Sequence, residues 1–160
     1  MNDCNFPIIH YENPSLYLKN GEAHGEQFRD AIKQLFEIRR SLLIDKNPSI
    51  KHRIKELALT QFEESKKYSK NICLELEGIS HGANLNIQDI VLLNNYTDFR
   101  DITLPDEGCS VIQSISDNDS ICGQTWDMHS SAKKFVSIIK IDSNDSQDAQ
   151  LIFSLVGCVG

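Results

Sequence analysis

Cys109 is the residue of this chain whose type and setting point most directly to chemistry. It stands in the stretch DEGCSVIQ, Asp106 to Gln113, after a Pro-Asp-Glu-Gly loop and immediately before β-branched residues begin. Reactive groups concentrate on loops carried by a rigid scaffold, and a cysteine thiolate attacks acyl carbons readily. Free cysteine is also among the most buried residue types. Packing is therefore the competing reading, and it is the one expected for Cys4, Cys73, Cys122 and Cys158.

A thiol nucleophile needs a base. The histidines are His10, His24, His52, His81 and His129, and none has a sequence context that commits it to Cys109. His52 lies in a charged helical stretch and reads as a solvated side chain, whereas His24 and His81 sit beside glycines and read as turn or packing groups. The other route dispenses with histidine. If the Gly108–Cys109 peptide bond is cut, the new α-amino group can take the proton of its own thiol. The ordinary pKa of such a group, about 7.7 to 8.0, leaves a useful unprotonated fraction near neutral pH.

Two blocks of secondary structure must hold that junction. FPIIHYE reads as a strand ended by Asn13 and Pro14, and Gly21 and Gly25 in SLYLKNGEAHG read as a turn leading into a helix. From Glu26 to about Leu43, Phe28, Ile32, Leu35, Phe36, Leu42 and Leu43 fall on one helical stripe. After Asn47 and Pro48 the helical period resumes from Ile50 to about Leu76. Gly78 and Gly82 read as a connector, and NIQD, Asn86 to Asp89, reads as an N-cap opening a helix through IVLLNNYTDF.

Beyond Pro105, SVIQSI and ICGQTW flank the polar turn SDNDS, and KFVSIIKI and QLIFSLV flank SNDSQDA, so each pair reads as a hairpin. Helices followed by strands in separate blocks predict an α+β domain with an antiparallel sheet. Residues 1–108 form the helical segment of a single domain and residues 109–160 its strand segment. Four strands are too few to close a sheet covered by helices, and the pattern is expected to be the N-terminal portion of a longer domain.

Several of these blocks, taken in order, resemble the acyl-coenzyme A:6-aminopenicillanic acid acyltransferases, which are self-processing N-terminal nucleophile hydrolases. GEAHGEQF is similar to the family's Gly-x-x-x-Gly segment, LELEGISHGANLNIQDIVLLNNYTDF to its Glu-x-x-Gly-Ile motif and following helix, and EGCSVIQ to its Gly-Cys processing site. GQTWDMH resembles the Gly-Gln-Asn-Trp-Asp block, with Thr125 in place of asparagine. The resemblance implies a four-layer αββα sandwich, of which this chain would supply part, and autocatalytic cleavage between Gly108 and Cys109.

It also implies roles for individual residues. Cys109 would be the nucleophile that forms a thioester, Asp127 would orient the new amino terminus, and Met128 and His129 would begin the acyl pocket. Trp126 is expected in the core, and Asp106 and Glu107 in a solvated loop. The implied partner is a small-molecule acyl amide or an acyl-CoA or other thioester. The asparagine and arginine that complete such a site would follow Gly160, so a chain ending there is expected to turn over little, since losing one oxyanion donor costs about two to three orders of magnitude. A catalytically incomplete remnant acting as a binding or regulatory module is the alternative.

Composition narrows the classes. The net charge of −7, from 23 acidic and 16 basic residues, with no basic stripe, disfavours nucleic acid. No basic, apolar leader opens the chain and no apolar run is long enough for a membrane span, so a cytoplasmic location is expected. Five cysteines without Cys-x-x-Cys pairing or zinc-like Cys/His spacing signal neither a disulfide framework nor a metal, and no cofactor is expected. A homo-oligomer is compatible with this composition.

Overall fold

A computed structural model of the chain describes residues 6–100, 109–116, 119–126 and 128–159. It is a mixture of helices and short strands, in keeping with the α+β expectation. The elements are β1 (Ile8–Tyr11), α1 (Tyr17–Gln27), α2 (Arg29–Lys46), a 3-10 helix (Pro48–His52), α3 (Ile54–Tyr68), α4 (Lys70–Ala83), α5 (Ile87–Asn94) and α6 (Tyr96–Arg100). Then come β2 (Val111–Ile115), β3 (Ser120–Gln124), a second 3-10 helix (Ser130–Phe135), β4 (Val136–Ile141) and β5 (Gln150–Leu155).

The glycines are the first correction to the sequence reading. Gly21 and Gly25 lie inside α1, and Gly78 and Gly82 lie inside α4, so neither pair makes a turn or connector. Their spacing of four puts each pair on one helix face, and the two faces meet with almost no gap. A Cβ on Gly78 would stand 2.2 Å from the Leu18 carbonyl oxygen, and one on Gly21 would stand 2.2 Å from that of Glu75. The glycines are thus selected by close approach of two backbones.

The helical stripes are also more divided than their periodicity implies. The helix expected over Glu26–Leu43 is interrupted at Phe28 (φ −117°, ψ 21°), which separates α1 from α2. The one expected from Ile50 to Leu76 is interrupted at Ser69 (φ −148°, ψ 108°), whose side chain accepts the Ile72 N–H at 3.4 Å and so caps α4. The apolar period survives each break because the chain turns without leaving the core. At Asn86 the expected cap is present: its side chain and that of Asp89 form a reciprocal capping box at the start of α5.

Both hairpins occur. β2 and β3 are antiparallel with Val111 opposite Gln124, and β4 and β5 are antiparallel with Val136 opposite Leu155. The expectation of a purely antiparallel sheet fails at β1, which pairs with β4 in parallel, Ile8 opposite Ile138 and Tyr11 opposite Ile141. The whole helical block separates these two strands in sequence, and such a long crossover allows parallel pairing where a hairpin turn cannot. The result is a three-stranded sheet, β1-β4-β5, and a separate two-stranded sheet, β2-β3.

The main core lies among α2, α3, α4 and α5 and the end of β5, with Ile32, Leu35, Leu43, Ile79, Ile90, Leu93 and Leu155 at its centre. The β2-β3 hairpin takes no part in it. Val111, Ile112, Ile115 and Ile121 are between 62% and 75% exposed. Cys122, expected to pack, is exposed with them, because two strands cannot bury a face by themselves. Among the described residues no helix is long and apolar enough to cross a membrane.

Candidate active site

Cys109 is exposed and leads into β2. Two hydrogen bonds extend the β2-β3 ladder toward it: the Thr125 N–H donates to the Ser110 carbonyl at 2.9 Å, and the Ser110 N–H donates to Thr125 Oγ1 at 2.9 Å. Thr125 thereby clamps the residue after Cys109 through both its backbone and its side chain, a role the sequence reading did not assign to it. Continuing the observed register by two pairs, past Ser110 and Thr125, sets Cys109 opposite Trp126. Gly108 and Asp127, with Asp106 and Glu107, lie outside the described residues.

Trp126 corrects a second expectation. It is 42% exposed and therefore not in the core. It lines a groove of about 390 Å³ together with Met128, Tyr96, Phe153, Leu155 and Val159. Met128 thus stands in a groove wall. The ring of His129 is turned to local structure: its Nδ1 accepts the Ser131 N–H at 3.3 Å and lies 2.8 Å from the Ser131 hydroxyl, capping the second 3-10 helix.

Two polar side chains shape the far side of this groove. Asn94 donates to the carbonyls of Ile90 and Gly157, each at 2.9 Å, and accepts the Val159 N–H at 2.9 Å, so both amide hydrogens are used and α5 is tied to the turn after β5. Arg39, from α2, is 6% exposed and donates to the Leu93 carbonyl and to Cys158 Sγ, with its guanidinium 5.0 Å from the Tyr96 ring centroid. Burial pushes the Cys158 thiol up, and the neighbouring Arg39 only partly offsets this. The sequence signal for Arg39 was available: it occupies the stripe position between Phe36 and Leu43, where an apolar residue belongs.

The histidines divide as follows. No hydrogen bond joins any of them to Cys109 among the described residues. His10 lies 2.9 Å from Asp142 and His81 lies 3.3 Å from Glu22, both at the surface. His24 is fully buried in a packing role. The Gly157 N–H donates to its Nε2 at 2.8 Å, so the neutral ring carries its proton on Nδ1, 3.3 Å from the Tyr11 hydroxyl. Tyr11 in turn donates to Glu75 at 2.7 Å. This directed chain joins α1, β1, α4 and the turn after β5, where Gly157 adopts φ +83°. Burial, the Glu75 charge and the Glu75 hydrogen bond all push the Tyr11 pKa up.

Burial lowers the His24 pKa to about 4, against an unfolded value of about 6.5. The folded state therefore binds this proton less well than the unfolded state does. Its contribution is complete above pH 6.5 and is lost as the pH falls from there toward 4, about 3 kcal/mol in all. A urea midpoint that drops over that interval, with a shallower drop in His24→Gln, is the expected result.

Among the described residues no group of three or more His, Cys, Asp or Glu side chains is placed to hold a metal ion. No family model matches the sequence. The chain is 26% identical over 120 residues to the 40 kDa form of an acyl-coenzyme A:6-aminopenicillanic-acid acyltransferase from Emericella nidulans, a match covering 71% of this chain and 32% of that protein. The matched portion thus spans about a third of the relative's length, and any continuous stretch covering that share of this chain includes position 109. This similarity supports a relationship between the chain and the acyl-coenzyme A:6-aminopenicillanic acid acyltransferases.

Proposed function

We propose that this chain carries the nucleophile of an acyltransferase or amide hydrolase that acts through a thioester. The observation that carries the reading is the similarity to the acyltransferase across a region that includes Cys109. The exposure of the Cys109 thiol just before β2 is compatible with it.

In this reading Cys109 Sγ first attacks the Gly108 carbonyl carbon. The peptide nitrogen leaves as the new α-amino group of Cys109, and water hydrolyses the thioester to release Gly108 as a carboxylate. That amino group then accepts the thiol proton, and the thiolate attacks the acyl carbon of a small-molecule amide or thioester. The amine or thiol of the donor leaves with a proton. Water or an amine acceptor takes the acyl group from the enzyme and restores the thiol. Asp127 orients the amino terminus, and Met128 and His129 stand at the acyl side.

Intact-mass measurement of the full-length polypeptide tests this directly. The expected result is two fragments that meet between residues 108 and 109, with the second fragment gaining one acyl mass when treated with an activated acyl ester. A full-length chain that stays whole and whose Cys109 remains unacylated would favour a non-catalytic binding module.

A further inference from the structure

We infer that Thr125 is a positioning residue for the chemistry at Cys109: its hydroxyl holds the peptide unit that carries the Cys109 α-carbon and so aims the thiol. In a hydrogen-bonded antiparallel pair, two opposed residues exchange both of their main-chain N–H···O=C bonds. At Ser110 and Thr125 one bond is of that kind, the Thr125 N–H donating to the Ser110 carbonyl at 2.9 Å. The Ser110 N–H turns instead to Thr125 Oγ1, also at 2.9 Å. A side chain thus supplies the last acceptor of the β2-β3 ladder before Cys109.

Planarity carries this bond to the nucleophile. The Ser110 N–H lies in one plane with the Cys109 carbonyl and the α-carbons of both residues. Bonds at the Ser110 N–H and the Ser110 carbonyl orient that plane, which leaves φ, ψ and χ1 of Cys109 as the soft torsions between the clamp and the reacting atoms. Packing does not do this work, because the hairpin strands are exposed along their length and Cys109 and Thr125 are exposed with them. Valine in place of Thr125 keeps the shape, the β-branching and the main-chain bond and removes the acceptor. Serine keeps the acceptor.

This inference rests on the proposed function, since it assigns a residue to that reaction, and its test separates the two. The full-length polypeptide is made by cell-free translation as parent, Thr125→Val and Thr125→Ser, and cleavage before Cys109 is followed in time by intact mass. Thr125→Val is expected to cleave about five- to tenfold more slowly, the worth of one neutral hydrogen bond, and Thr125→Ser within about twofold of the parent. The urea midpoint is expected to stay the same in all three. Once cleaved, the valine variant is expected to be acylated by p-nitrophenyl acetate with a maximal rate reduced to the same extent and an unchanged half-saturating concentration. Parent and valine variant cleaving equally fast, serine slowed as much as valine, or a urea midpoint that falls with the rate would each overturn the positioning role and leave Cys109 as the nucleophile. A parent chain that stays whole would overturn the proposed function, and this inference with it.

Discussion

Replacing Gly78 with alanine is expected to destabilise the fold by about 3 kcal/mol, read as a lowered urea midpoint at unchanged slope. The sign carries the information. In an ordinary helix interior, glycine to alanine stabilises by about 0.5–1 kcal/mol, because alanine loses less backbone freedom on folding. Here the added methyl would stand 2.2 Å from the Leu18 carbonyl oxygen and 2.8 Å from the Glu22 nitrogen. Both are backbone atoms that cannot swing aside as a side chain can. The helices must separate, and separation strains the rest of the seam, since a Cβ on Gly21, Gly25 or Gly82 would likewise stand 2.2 to 2.5 Å from a carbonyl oxygen of the facing helix. The Tyr11–Glu75 hydrogen bond would stretch with them, because Glu75 rides on α4. A Gly78→Ala variant as stable as the parent would show that the two helices do not cross in backbone contact.

Substitution of Cys109 by alanine is expected to abolish both cleavage before residue 109 and acyl-enzyme formation, with turnover of the full-length protein reduced on the order of 10⁴-fold or more. Stability should barely change, because Cys109 is exposed and contributes no packing. This separation of activity from stability is what distinguishes a nucleophile from a structural cysteine. Cys73, which is buried, is expected to behave in the opposite way: Cys73→Ser should lower the urea midpoint and leave acylation intact. Intact-mass analysis and denaturant titration of the two variants side by side provide the check. Equal acylation of parent and Cys109→Ala would remove Cys109 from the chemistry.

Local information in the chain accounts for most of the elements. The alternation in FPIIHYE, the Asn86–Asp89 box, the polar turns between apolar runs and the stripe through Ile32, Leu35, Phe36 and Leu43 each act over a few residues and depend on nothing distant. The candidate nucleophile was legible for the same reason, since a cysteine after a Pro-Asp-Glu-Gly loop and before a strand is a local pattern. What a glycine does is different. Gly21 and Gly78 look like punctuation in one dimension, and only the crossing of α1 and α4 shows that they exist to admit a carbonyl oxygen from the other helix.

The same holds for the groove and for pairing across the sheet. Arg39, Asn94, Trp126 and Phe153 are far apart in sequence and share a wall only after α2, α5 and β5 have packed. Parallel pairing of β1 with β4 depends on where the helical block returns the chain. Periodicity and turn chemistry specify elements because their energies are local. Close approach, burial of a charged side chain and shared cavities are decided by atoms that the sequence keeps distant, and these came from the tertiary structure.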